Sequence, residues 1–273
     1  MKKVLNYLAN NVWLICFLIF LSIVFFKIII REYTIGPFDF LVNFYHPYKE
    51  IRWQSSDLTI ASMHPKNYLM SDVLTVTLPI KLFAIDLIKK YQLPLWNPHI
   101  LNGSPILANI QSSIFYPLNI IYLIFEPITA YNIYVLSQFV LAFVFMFFYL
   151  RSLKLNKIAT YFGGLSFSFS AFFVVWSGWA TLGHALAWLP ISFYAIENFF
   201  SRQKSIDKII FTISLSLSFF AGHTQTTLIV YFLSLSYLLF KSWQTKKYYI
   251  GFNLFIFYLI SLLIIAVQLI PSI

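Results

Sequence analysis

The stretch TAYNIYVLSQFVLAFVFMFFYLRSLKLNK, from Thr129 to Lys157, carries no charge as far as Leu150 and then Arg151, Lys154 and Lys157 in quick succession. A helix needs about 20 apolar residues to cross a bilayer's hydrocarbon core, and basic residues gather in the cytoplasmic loops that follow such spans. The same pairing recurs along the chain. Further apolar runs lie at about 11–30, 158–177, 184–200, 208–221, 224–240 and 249–270. Basic clusters follow at Arg202/Lys204/Lys208 and at Lys241/Lys246/Lys247, while the alternate connections near 178–183 and 222–223 hold no Lys or Arg. With Lys2 and Lys3 ahead of the first run, every basic cluster falls on one side if the chain crosses seven times with a cytoplasmic N-terminus. Reading 208–240 as one kinked helix would break that alternation.

Composition agrees. The chain has 273 residues, 60% hydrophobic and 10% charged, with net charge +10 and mean hydropathy +0.77. Soluble domains are about 25% charged. The apolar runs are continuous and do not alternate, which excludes a barrel pattern. The positive charge sits in short loops and reads as a topology signal, not as a nucleic-acid surface. The first run is longer than a signal-peptide core and lacks a small-residue cleavage site, so it is expected to stay as the first span. Cys16 is the single cysteine, and His46, His64, His99, His184 and His223 form no HxxxH pair, so neither a disulfide framework nor a metal motif is visible. The expectation is one all-α polytopic membrane domain over 1–273: a first span at 11–30, an external loop at 31–128 and six more spans in 129–270.

The loop is too apolar to be disordered and too long to be an ordinary connection. Ile80, Phe83, Ala84, Leu87, Ile88 and Tyr91 recur with helical spacing, with Lys81, Asp86, Lys89 and Lys90 assigned to other faces; this predicts an amphipathic helix lying on the membrane surface. Pro94 and Pro98 in LPLWNP end it. Trp96 and Tyr116 suit the interfacial belt, and PLNIIYLIF (117–125), too short to span, predicts a second surface or re-entrant helix.

Ser71-Asp72, the amphipathic helix, LPLWNP (93–98), NGSPILAN (102–109) and QSSIFYPLN (111–119) together resemble the first external loop of the YfhO-like bacterial membrane proteins. Those belong to the GT-C class of polytopic glycosyltransferases. GHALAWLP (183–190), GHTQTTLIVY (222–231) and AVQLIP (266–271) follow in the same order. The resemblance covers most of the chain from Asp39 onward. It implies a GT-C-like helical bundle, and transfer of a sugar from a polyprenyl-phosphate carrier to a glycan, glycolipid or protein acceptor on the outer face of the plasma membrane. Family members are longer, so it also implies an N-terminal portion with more spans to follow.

The resemblance implies an acid in the first external loop as catalytic base. Asp72 is the first candidate; read from the residues alone, it is an N-cap or turn aspartate. Asp39, just after the first span, is the rival base, or a second acid orienting acceptor or a divalent metal; its plain reading is a turn residue after Gly36-Pro37. For substrate binding the candidates are Lys66 and Arg52 toward phosphate, and Trp96 and Asn97 toward sugar. Gln111 lies in the loop block, and His184, His223 and Gln225 lie at external helix ends. The plain readings are solvated loop charges, loop scaffolding, helix capping and packing. No P-loop or Rossmann fingerprint points to a nucleotide or other cofactor. Two rival classes remain: a lipid-linked glycan flippase or transporter, whose usual mark is a charged midplane site, and a non-catalytic envelope-assembly protein, in which Asp39 and Asp72 would be dispensable.

Overall fold

The computed structural model describes residues 12–31, 33–50, 68–100 and 102–273. The described residues are mostly helical, with one two-residue antiparallel pair among them, Trp96–Asn97 (β1) against Ser104–Pro105 (β2). Among the described residues, four helical segments are long and apolar enough to cross a membrane: Pro127–Ser152, Lys157–Val175, Thr224–Thr245 and Tyr248–Ser272. This is an all-α membrane protein. The helices of the described residues, in chain order, are α1 (Val12–Val24), α2 (Phe26–Arg31), α3 (Asp39–Phe44), α4 (Leu78–Lys89), α5 (Ile121–Ile124), α6 (Pro127–Ser152), α7 (Lys157–Ser168), α8 (Ala171–Val175), α9 (Thr181–Ala187), α10 (Leu189–Arg202), α11 (Ser205–Phe220), α12 (Thr224–Thr245) and α13 (Tyr248–Leu269). Lys2 and Lys3 lie outside the described residues.

Local chemistry sets the boundaries. Pro127 opens α6 at the first-turn position where its missing N–H costs nothing. Asn156 caps α7, its Oδ1 accepting from the Ala159 amide at 2.8 Å. Lys154, Gln203 and Lys246 follow α6, α10 and α12 with left-handed φ of 64°, 50° and 57°, the usual way a helix end turns its chain away. The first helix packs through Phe17, which stacks on Phe143 at 3.9 Å, and Phe25, in the turn between α1 and α2, packs against Phe139.

Side-chain contacts fix helix direction. Ser192 meets Ser234 at 2.8 Å and Glu197 meets Lys241 at 2.8 Å, so α12 runs parallel to α10. Arg202 Nη2 lies 3.3 Å from Asp207 Oδ1 at one end and Ser218 Oγ donates to the Ala185 carbonyl on α9 at 2.8 Å at the other, so α11 runs back against α9 and α10. The chain therefore reverses at Ala221–His223, and the 208–240 region is two antiparallel helices, as the charge alternation expected. Gly222 makes the reversal, at φ +96°. An added Cβ there would run into Ser113 Oγ and stand 3.0 Å from the Ile110 carbonyl oxygen. Gly222→Ala is expected to cost about 1–2 kcal/mol from the left-handed backbone alone. It would also displace the 110–113 loop, and a lower melting temperature in detergent checks it.

Two expectations are corrected. Lys81 is not on a polar face of α4: it is 3% exposed and buried with Ile80, Ala84 and Ile85. It stands three and four residues before Ala84 and Ile85, on their side of the helix. The helix is accordingly packed inward, with Ile80 and Ala84 against Ile106, and does not merely rest its apolar face on a surface. Tyr116, expected at the interface, is 1% exposed inside the bundle. The 117–125 piece does form a short turn and helix, with Tyr122 buried and Ile120, Ile124 and Phe125 exposed.

Candidate functional site

The end of the bundle opposite Arg151, Gln203 and Lys246 is covered by residues 33–50, 68–100 and 102–126. Asn132 on α6 holds its beginning, Oδ1 accepting from the Ile35 amide at 3.3 Å and Nδ2 donating to the Tyr33 carbonyl at 3.1 Å. Tyr131 donates to the Gly178 carbonyl, joining α6 to the 176–180 turn. Ser113 Oγ donates to the Ala221 carbonyl at 3.0 Å, pinning the loop block onto the α11–α12 turn.

Beneath this cover is a cavity lined by Val73, Thr77, Lys81, Tyr122, Tyr134 and Trp179, with Thr181 beside them. Its construction starts at Pro79. Proline has no N–H for the i−4 carbonyl, and the preceding turn widens to a π-helical one over Val73–Thr77, closed by the Leu78 amide on the Val73 carbonyl. A wider turn offsets the drift that four-residue spacing accumulates at 3.6 residues per turn, so Val73, Thr77 and Lys81 stand in one row. From the other side, Ala180 at φ 51° turns the chain sharply between Trp179 and Thr181, a conformation unusual for a residue other than glycine.

Lys81 has no carboxylate or other hydrogen-bond partner among the described residues. Its Nζ sits 4.0 Å from the centroid of the Tyr134 ring and 5.6 Å from that of Tyr122, a cation–π cradle. Burial lowers its pKa from 10.5 to about 7, because desolvation disfavours the ammonium. Around it, Thr77 Oγ1, Tyr134 OH, Trp179 Nε1 and Thr181 Oγ1 are buried without a hydrogen-bond partner. Buried polar groups are nearly always paired, so four unpaired donors lining one cavity mark it out from the rest of the bundle.

Behind Tyr134 lies a finished network. His184 is fully buried. Its Nε2 is 2.9 Å from the Tyr134 carbonyl oxygen, which can only accept, so Nε2 carries the proton. Nδ1 then accepts from Tyr116 OH at 3.1 Å, and Tyr116 in turn accepts from Trp188 Nε1 at 3.2 Å. His184 thus holds Tyr116, Tyr134 and α9 in register, and its ring packs 4.2 Å from that of Tyr134.

No protein family, no curated protein and no solved structure matches the chain.

The remaining candidates fall around this centre. Asp72 is exposed, one residue before Val73 at the head of the row, in right-handed helical conformation with no side-chain capping bond. Asp39 opens α3 and is partly exposed. His223 caps α12: its Nδ1 is 2.8 Å from Thr226 Oγ1 and accepts from the Thr226 amide at 3.3 Å. It caps the Thr226 amide, and its ring lies 6.4 Å from that of Trp179. His184 and His223 share no contact and flank the cavity wall from two sides. Gln225 is exposed on the first turn of α12. Gln111 is partly buried, its amide bonded to Asn109 Oδ1 at 3.0 Å. Asn97 is buried, its Oδ1 accepting from the His99 amide at 2.9 Å. The Trp96 indole lies over Gly103 where a Cβ would stand, so Trp96 and Asn97 shape the small hairpin. Arg52 and Lys66 lie outside the described residues. Among the described residues no group of three or more His, Cys, Asp or Glu could hold a metal ion. Reasoning from the sequence missed Lys81, Thr77, Tyr134, Trp179 and Thr181.

Proposed function

We propose that the chain is a seven-span protein of the plasma membrane, with its N-terminus in the cytoplasm and residues 31–128 outside. In this reading it moves a sugar from a polyprenyl-phosphate donor to a cell-envelope glycan, glycolipid or protein acceptor, as the resemblance to YfhO-like GT-C enzymes implies. The observation that carries the reading is on one stretch of chain: an exposed carboxylate, Asp72, and an inward ammonium, Lys81, flank a π-helical turn under a loop that covers one end of the bundle. Displacement at an anomeric carbon requires a carboxylate able to take a proton, since the acceptor hydroxyl must lose its proton as the new bond forms, and Asp72 directly precedes Val73 of the cavity wall. Asp72 takes that role, with Asp39 as the rival. Placement of this end outside, away from cytosolic sugar nucleotides, calls for a lipid-carried donor.

Two experiments test this. Purified protein is expected to transfer sugar from a polyprenyl-phosphate sugar; transfer directly from a nucleotide sugar without a lipid carrier refutes the donor. In intact cells, cysteines placed at 154 and 246 are expected to resist an impermeant thiol reagent and one at Asn102 to react. Labelling at 154 overturns the topology.

A further inference from the structure

We infer that the Lys81 cavity is a phosphate site, built to take one anionic oxygen of a phosphate group against Lys81, Thr77, Tyr134, Trp179 and Thr181. Three features of the cavity point to this chemistry. First, every polar side-chain atom named there can donate. The ammonium and the indole N–H can only donate, and the three hydroxyls are free to rotate as donors. No carboxylate lines the space, so a cation is unsuited to it. Second, these donors are deeply buried: Thr77 is 5% exposed, Lys81 3%, and Tyr134 and Thr181 1% each. Leaving such groups unpaired is costly, and an uncompensated buried ammonium costs more. A water molecule would satisfy some hydrogen bonds but not the charge; an anionic oxygen does both. Third, the shape suits a partial insertion. The empty space is about 250 Å³ including its open mouth, with room for about one water-sized group, which suits insertion of one phosphate oxygen while the rest of the group stays at the opening.

A phosphate can arrive as a lipid headgroup or as a free ion, and the cavity's chemistry is shared by both. That the headgroup belongs to a polyprenyl carrier rests on the function proposed above; the phosphate site itself does not.

The test uses the 273-residue protein in maltoside micelles without phospholipid. It is titrated with polyprenyl phosphate, with the neutral polyprenol and with inorganic phosphate, and binding is read as a saturable rise in melting temperature. Polyprenyl phosphate is expected to bind and polyprenol not. Lys81→Met and Thr181→Val are each expected to weaken binding at least about tenfold, since a hydrogen bond to a charged group is worth that much or more. Lys81→Met is also expected to melt no lower than wild type without ligand, because it removes an unpaired buried charge; loss of binding then cannot be ascribed to unfolding. Inorganic phosphate stabilising as well as the lipid, and lost in the same variants, supports the site and assigns it a free anion. Equal stabilisation by polyprenol, or unchanged binding in Lys81→Met, overturns the site. Binding that is intact in a protein unable to transfer sugar counts against the proposed function and leaves the site standing.

Discussion

Asp72→Asn is expected to lower sugar transfer at least about a hundredfold, because a general base contributes roughly 10²–10⁴-fold. Abundance and melting temperature should stay at wild-type values. The structure sharpens this contrast. An N-cap aspartate would be recognisable by a side-chain bond to a backbone amide two or three residues on. Asp72 makes none and lies in right-handed helical conformation immediately before the π-helical turn. It is also exposed, so replacing a carboxylate with an amide of the same shape buries nothing and breaks no cap. A structural explanation for lost activity is therefore closed off in advance. Rates of transfer from a polyprenyl-phosphate sugar, measured beside thermal melts of the same preparations, decide it. Near-normal transfer would reject Asp72 and move the role to Asp39, whose own Asn variant should then be inactive.

What the sequence made legible follows from where a single physical signal dominated. Continuous apolar runs and basic connections placed the long helices well: the expected spans at 129–150, 224–240 and 249–270 correspond to Pro127–Ser152, Thr224–Thr245 and Tyr248–Leu269. Even the contested break at Gly222-His223 was readable, because the absence of Lys and Arg there fitted the alternation. The site was much less so. Lys81 was set on the polar face because charge is normally solvated, and helical periodicity describes one buried stripe, whereas α4 is packed from more than one direction. The usable signal was present: Lys81 precedes Ala84 and Ile85 by three and four residues, the spacing of side chains that share a face. Trp179 and Thr181 carry no motif at all. They reach the cavity through the turn at Ala180, and no residue type there demands a left-handed φ. Tyr134 was one of 18 tyrosines, and only its neighbours Lys81 and His184, distant in sequence, single it out.

Lys241→Met is expected to destabilise the bundle by about 3–5 kcal/mol, the range for removing one partner of a buried ion pair, and Glu197→Gln by distinctly less. Lys241 was grouped with the basic loop after the sixth span, but α12 continues to Thr245 and carries it inside the helix. Its Nζ lies 2.8 Å from Glu197 Oε1, with side chains 19% and 9% exposed. Tyr237 also donates to that oxygen and accepts from Tyr149 OH at 3.2 Å, so the cluster ties α6, α10 and α12 together. The two ends of the pair are not equivalent. A lysine left alone can swing its long stem and carry the ammonium toward water. A glutamate left alone has a short stem, little exposure and only the Tyr237 hydroxyl to compensate its charge. Glutamine in its place keeps an oxygen for Tyr237 and removes the charge. The Glu197→Gln/Lys241→Met double variant should therefore recover most of the loss, giving a large coupling in a double-mutant cycle. Melting temperatures of the four proteins in one detergent measure it. If Lys241→Met and Glu197→Gln cost the same and their effects add, the pair contributes no coupling, and the α10–α12 contact rests on Ser192, Ser234 and the apolar packing around them.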